Sequence, residues 1–390
     1  MILDLTGFIA RHDAELVHLR RHLHAHPELG RAERESTALV ARRLEAAGLR
    51  PRLLPTGTGL VCDVGSGGGS VVALRADLDA LPLQDEKDVP YRSTNPGVCH
   101  ACGHDVHTTM LLGAGLALAE QAERLPGRVR LVFQPAEERI PGGSLDVIAA
   151  GALDGVAAIF ALHCEPKLDV GRLGVRVGPI TAASDSIEVR LTGPGGHTAR
   201  PHLTADLVYI IARVVTDLPA ALSRLVDPRA GLSMTFGAVQ AGTVDNAIPT
   251  SAVARGTLRL LDRDVWGEVP KLVERVLEHT VEPFNVSLEL DYRRGSPPVV
   301  NDEAATRVMA AAGRTVLGDR AVQQVPQSLG GEDFSWYLEE VPGSMARIGV
   351  RIPGTNLDLH ASAFDVDERA IPLGVRVLAQ TAVDALEHYR

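Results

Sequence analysis

The sequence predicts an α/β fold of two domains: a discontinuous α/β domain interrupted by a ferredoxin-like α+β insertion. Three observations predict it. In the first third, β-rich apolar runs alternate with helical periodicity. Between residues 180 and 295 the order changes to strand, helix, strand, strand, helix, strand. After residue 295 the helix–strand alternation returns, which places 1–179 and 296–390 in the first domain and 180–295 in the insertion. A chain of 390 residues is also longer than one typical compact domain.

Each element follows from its pattern. "FIARHDAELVHLRRHLHA" and "ERESTALVARRLEAAG" space apolar residues three and four apart, and Gly48 stops the second helix. "GLVCDVG" and "SVVALRAD" are short strands flanking the turn "GSGGGS". "TTMLLGAGLALAEQAERL" reads as a buried helix, and "GRVRLVFQP" and "VAAIFALHCEP" as buried strands. Strands separated by helices imply a largely parallel sheet. In the insertion, "SDSIEVRLTG", "LSMTFGAVQAG", "TSAVARGTLRLL" and "VSLELDYRRGSPPVV" are strands, with helices at "TADLVYIIARVVTDLPAAL" and "VWGEVPKLVERVLEHTV". "EAATRVMAAAGRTVL" and "ERAIPLGVRVLAQTAVDALEHY" are the closing helices.

Composition narrows the function classes. With 45% hydrophobic and 23% charged residues the chain reads as globular. It has no apolar run of about 18 residues, so no membrane span is expected. The N-terminus is charged throughout and has no small-residue cleavage site, unlike a signal peptide. A net charge of -10 without a dense basic cluster argues against nucleic-acid binding. Four cysteines make no disulfide framework in so long a chain, so reduced thiols and a cytoplasmic location are expected.

Chemistry-bearing residues then gather at strand ends and loops. "HACGHDVH" sets Cys102 and His104 two apart, just before the apolar helix. Thiolate and imidazole are the usual zinc ligands, although solvated caps are the bland alternative. Cys99 and Cys102 also form a C-x-x-C pair, open to a redox or structural-zinc reading, but no second ligand pair lies nearby. "FQPAEER" ends a strand with Glu137 and Glu138. Adjacent carboxylates point in different directions, so one can ligate a metal while the other faces the metal's water. The sequence alone does not order the pair. "ALHCEP" puts His163 at a strand end, "LDLHASAF" puts His360 after a Gly/Pro-rich loop, and "RADLDALP" ends a strand with Asp77 and Asp79. Several such placements in one domain point to a site.

Together with "RRHLHAHPELG", "GPGGHTARPH", "NAIPTSAVARGTLR", "GGEDFSWY" and "LHASAFDVDE", these motifs resemble the amidohydrolase branch of the M20 metallopeptidase family. That branch holds hippurate hydrolases, N-acyl-amino-acid amidohydrolases and hydrolases of auxin–amino-acid conjugates. The resemblance covers almost the whole chain in the family's order.

The resemblance implies two divalent metal ions, held by Cys102, His104, Glu138, His163 and His360, with Glu137 as general base. Zinc fits Cys and His, and the Glu ligand leaves manganese, cobalt or nickel open. One aspartate of "DLD" would orient a histidine ligand; Asp77 is favoured, with Asp79 as its rival. His100, Asp105 and His107 would support the ligands or the fold. The insertion would act as lid and dimerisation domain. In it, His197 would stabilise the oxyanion, in its own subunit or a partner's. The amide of Asn246 and the guanidinium of Arg259 suit the amino acid's carboxylate, and Arg259 reads equally as a strand residue paired with an acid. Gly330 and Gly331 would bring backbone N–H groups to the substrate.

The expected reaction is hydrolysis of a small N-acyl-L-amino acid to an acid and an amino acid, in a homodimer or higher homo-oligomer. A dipeptidase or aminobenzoyl-conjugate hydrolase with the same site is the first alternative. A catalytically silent binder and a thiol redox protein are the others. Two departures from the family pattern bear on substrate: Arg139 follows the Glu pair where glycine is usual, and "HASAF" replaces the usual His-Ser-Pro.

Overall fold

The computed structural model describes residues 1–65 and 68–390. Two residues of the Gly-rich turn, Ser66 and Gly67, lie outside the described residues. The elements used below run, in chain order, α1 (Thr6–Ala25), α2 (Arg34–Ala46), β1 (Arg52–Leu53), β2 (Leu60–Val64), β3 (Val71–Asp77), α3 (His104–Ala119), β4 (Arg128–Gln134), β5 (Val156–Asp169) and β6 (Leu173–Val175). They continue with β7 (Ala183–Thr192), α4 (Leu207–Leu225), β8 (Ser233–Ala241), β9 (Ser251–Leu260), α5 (Arg263–Val281) and β10 (Ser287–Arg293). The chain closes with α6 (Glu303–Leu317), β11 (Val322–Gln324), β12 (Gly343–Arg351) and α7 (Ala370–His388).

The chain divides into two compact units. The first comprises Met1–Gly178, Val300–Pro326 and Asp333–Arg390; the second comprises Pro179–Val299 and Gln327–Glu332. The segment Gln327–Glu332, which the sequence reading leaves in the first domain, goes with the second unit. Its backbone explains why: Ser328 N–H donates to Ile180 O at 2.9 Å, and Ala182 N–H donates to Gly330 O at 3.1 Å.

The first unit is built on an eight-stranded sheet in the order β1-β2-β4-β3-β5-β12-β6-β11. The central pairs β4–β3, β3–β5 and β5–β12 are parallel, as is β6–β11. The β1–β2, β2–β4 and β12–β6 pairs are antiparallel, so the sheet is mixed with a parallel centre. All seven residues of β3 are buried, as expected for a strand covered on both faces. Helix α3 is buried along most of its length because it is apolar on every side, and it packs against α1 and α7. Small residues permit the close approach: a Cβ on Gly374 would stand 2.2 Å from Met110 Sδ.

One strand outruns its sequence reading. "VAAIFALHCEP" extends to Asp169, so His163 sits within β5, level with Arg347 of β12, and not at the strand's end. Pro166 is tolerated because β3 stops pairing with β5 at Ala161, leaving that flank without a ladder.

The second unit has a four-stranded antiparallel sheet in the order β8-β9-β7-β10, the ferredoxin-like arrangement. Strand β7 alternates buried and half-buried residues with period two, so one face meets the helices. Helix α4 buries Leu207, Ile210, Ile211, Val214, Leu218 and Leu222, one stripe at three- and four-residue spacing. Asp206 and Asp262 cap α4 and α5 through their side chains.

Candidate metal centre

The predicted centre lies in the first unit, where the turn after β3, the start of α3, the turn after β4, strand β5 and a loop before α7 each deliver one piece. Gly103 has φ 90° and precedes α3, so the chain turns sharply between Cys102 and His104. His104 is therefore the first residue of the helix, four residues earlier than "TTMLL" indicates.

Cys102, His104 and Glu138 bring one ligand atom each to within 4.8 Å of one another. His104 donates through Nδ1 to the Asp79 backbone carbonyl at 2.8 Å, which leaves Nε2 with its lone pair. That Nε2 lies 4.0 Å from Glu138 Oε1 and 3.9 Å from Glu137 Oε2. Among the described residues, neither His104 Nε2 nor Glu138 Oε1 makes a hydrogen bond, though both atoms are buried. Buried polar atoms are otherwise almost always satisfied, so two facing orphans mark a place for a cation. His163 donates through Nδ1 to Cys164 O at 2.8 Å, and its Nε2 faces Cys102 Sγ at 3.6 Å. His360 Nε2 stands 3.3 Å from Glu138 Oε1. The five predicted ligands thus converge, joined by Glu137.

The electrostatics fit a cation as well. Burial, reinforced by the Glu138 charge, pushes the Cys102 thiol up, so a thiolate there needs positive charge beside it. Burial, with His107 and Arg347 nearby, pushes His163 well down and keeps it neutral, as a ligand must be. Sulfur, imidazole and carboxylate together suit zinc and related divalent ions.

The backbone is strained where the site is made. Ala136 (φ 54°) and His360 (φ 60°) are non-glycine residues in the left-handed region. Each is pinned: Ala136 N–H donates to Glu33 Oε1 at 2.7 Å, and His360 N–H donates to Ala101 O at 2.7 Å.

The two aspartates have different partners. Asp77 accepts from Arg75 Nη1 and His107 Nδ1, both at 2.7 Å, and neither donor is a predicted ligand. Its Oδ2 stands 3.7 Å from His104 Nε2, beyond hydrogen-bond reach. Asp79 carries His104 on its carbonyl, and its carboxylate accepts from the N–H groups of Glu137 and Glu138, each at 3.0 Å. Asp79, rather than Asp77, is therefore the aspartate in hydrogen-bond contact with His104 and both glutamates. His107 is structural: its Nε2 accepts from Cys164 N–H at 2.8 Å. His100 is buried, both its ring nitrogens lack hydrogen bonds among the described residues, and burial pushes it down to about 4.

In the second unit, a two-residue ladder pairs His197 with Ala247, next to Asn246, and Thr198 N–H donates to Asn246 O at 3.3 Å. His197 Nδ1 accepts from Ala199 N–H at 3.1 Å, so the ring proton sits on Nε2, an outward donor. Arg259 of β9 is half-buried, and among the described residues no hydrogen bond or ion pair meets its guanidinium. Gly331 lies against it, where a Cβ would be 3.3 Å from Arg259 Nη1. His197 thus lies beside Asn246, and Arg259 beside Gly331. In the first unit, Arg139 is exposed and lays its stem over Gly30, 2.8 Å from where a Cβ would be.

Sequence reasoning misses the buried frame of Arg75, Gln134 and Asp333 behind Glu137. The available signal is charge inside apolar strands: Arg75 within "VALRAD" and the acid of "GGEDF".

An α/β unit with a converging thiol, imidazole and carboxylate set, beside a second carboxylate, defines a metallohydrolase-type centre. Comparison with known proteins makes the class definite. The model of the peptidase family M20/M25/M40 matches residues 73–384, and the chain belongs to that family. It is 53% identical to a putative glutamate–cysteine ligase 2-3 of Rhodococcus jostii over 94% of this chain, but spans only 46% of that relative. It is 38% identical to an N-acetyl-L-cysteine deacetylase of Bacillus subtilis, over 92% of this chain and 85% of the relative. It is 40% identical to an N-acyl-L-amino acid amidohydrolase of Geobacillus stearothermophilus, over 75% of this chain and 80% of the relative. Among solved structures, the Bacillus subtilis YXEP protein, a dinuclear metal binding peptidase of the M20 family, superposes with a TM-score of 0.85. It is 34% identical, and the match covers 96% of this chain and 98% of that one. The protein is an M20-family hydrolase. No helix among the described residues is long and apolar enough to cross a membrane.

Proposed function

We propose that the protein is a dinuclear metal-dependent amidohydrolase that cleaves N-acyl-L-amino acids to an acid and a free amino acid. The observation that carries this reading is the pair of facing orphan atoms, His104 Nε2 and Glu138 Oε1, beside Cys102 and Glu137. Cys102, His104, Glu138, His163 and His360 hold two divalent cations, zinc or manganese first, with cobalt or nickel as alternatives. When bound, the cations supply an acidified water and polarise the amide carbonyl. Glu137 removes the water's proton and returns it to the leaving nitrogen. Asp79 keeps His104 and both glutamates in register. His197 donates from Nε2 to the oxyanion, and Arg259 and Asn246 receive the substrate carboxylate, with backbone donors at Gly331. A cytoplasmic homodimer or higher homo-oligomer is the assembly this reading carries.

Cysteine is the first amino acid to test. One relative is named for deacetylating N-acetyl-L-cysteine. Another is named for joining glutamate to cysteine, although the stretch this chain matches is hydrolase-like.

The test is amino-acid release from N-acyl-amino acids (N-acetyl-L-cysteine included), dipeptides and an aminobenzoyl conjugate, on metal-analysed enzyme with and without chelator. Chelator-sensitive release with about two metals per chain is expected. Glu137→Gln should lower kcat by about a thousandfold or more with metal content unchanged. Equal loss of metal would mean that the two glutamates have exchanged roles. Full metal loading with no release from any substrate would favour the silent binder.

A further inference from the structure

Behind Glu137 stands a buried frame that the reaction scheme leaves unused. Asp333 opens the last stretch of the first unit. Its N–H donates to Glu137 Oε1 at 3.3 Å. Its carboxylate accepts from Arg75 Nη2 at 3.0 Å, from Gln134 Nε2 at 2.7 and 2.8 Å, and from Ser144 N–H at 3.0 Å. Both oxygens therefore receive donors. Gln134 is itself held, since its Oε1 accepts from Arg75 Nε and from Tyr337 OH, each at 2.8 Å. Arg75, Gln134 and Asp333 are all buried. The Gly142–Gly143 turn closes over the carboxylate: a Cβ on Gly142 would lie 2.0 Å from Asp333 Oδ2.

This is more anchorage than a surface loop requires, and it ends on one oxygen of the catalytic carboxylate. We propose that Asp333 is the positioning residue for Glu137. Its side chain locks the peptide at 333 so that the N–H holds Glu137 Oε1, which aims Oε2 toward the ligand cluster, where it already stands 3.9 Å from His104 Nε2. Asp333 acts through Glu137 and touches no substrate; the proposal rests on Glu137 being the base. A glutamate without this hold samples several rotamers, and only one of them is productive.

Asp333→Asn tests it. Donors approach both carboxylate oxygens, so an amide NH2 at either position meets a donor head-on and the peptide shifts. The metal-loaded variant should lose about 10- to 100-fold in kcat, with KM and metal content within about twofold of wild type. Should it fail to fold, Gly142→Ala displaces the same carboxylate from outside and should give the same split. In a cycle with Glu137→Asp, whose shorter side chain no longer reaches the N–H, Asp333→Asn should add little further loss. Additive losses, an unchanged kcat in folded enzyme, or a loss in proportion to metal would overturn the proposal. A Glu137→Gln variant with normal kcat would instead sink the base assignment itself, so the two failures are distinguishable.

Discussion

Asp77 and Asp79 sit two apart at the end of one strand, and the site uses them differently. Side chains two residues apart share a face while the strand lasts, but β3 ends at Asp77. Beyond it Leu78 N–H returns to Gln134 O at 2.9 Å, and Asp79 turns toward the glutamate pair. A sequence shows two equivalent acids; the turn that separates them is a tertiary event. The types of the proposed ligands were legible because cysteine, histidine and carboxylate have few other reasons to converge. The order of Glu137 and Glu138 was not, because adjacent residues in a turn differ only in direction. The two aspartates should separate in experiment. Asp79→Asn removes an acceptor from the glutamate turn and should lower metal affinity by about 10- to 100-fold. Asp77→Asn leaves the buried Arg75 and His107 short of a partner and should chiefly lower Tm. Metal titration and thermal melts of both variants decide it; equal metal loss in the two would refute the assignment.

At the scale of elements, periodicity located the strands and helices, and polar sequence hid their ends. The first turn of α3, "HDVH", is polar yet buried, so a reader of apolar spacing starts the helix late. Strand β5 runs on through "HCEPKLD", where Pro166 looks like a stop. In both cases the hidden stretch carries a proposed ligand, since a site needs polar groups where a regular element would be apolar. Gly103 is the joint between Cys102 and the helix. At φ 90° any side chain is strained, and a Cβ would lie 2.9 Å from Cys164 Sγ. Gly103→Ala should cost about 1–3 kcal/mol of stability and separate Cys102 from His104, lowering metal content. Denaturant unfolding with elemental analysis checks this; a stable, fully loaded variant would show that the joint tolerates a side chain.

For the whole molecule, a buried ion network ties α1 to the first turn of α3 and to the segment before α7. Arg20 donates to Asp105 and Asp365, each at 2.8 Å, and lies 3.2 Å from Glu368. His24 Nδ1 is 2.7 Å from Asp105, and its Nε2 is 3.3 Å from Asp85, which also pairs with Lys87 at 2.9 Å. Cys99, Tyr91 and His100 also face His24, and Arg20 Nη2 stands 3.4 Å from its Nδ1. Burial alone pushes an imidazole down, but Asp105, with Asp85 and Cys99, outweighs it and lifts His24 to about 10. The unfolded value is about 6.5. A group raised on folding stabilises fully below its unfolded pKa and loses that contribution as pH climbs through its folded pKa. His24 should therefore support the fold at pH 6 and progressively less between about pH 6.5 and 10, by a few kcal/mol in all. Comparing wild type with His24→Gln at equal metal loading isolates this contribution from other titrations. The stability gap between the two should be widest near pH 6 and shrink toward pH 10. A gap that stays constant across that range would mean that His24 is neutral in the folded protein, and that Asp105 is balanced by Arg20 alone.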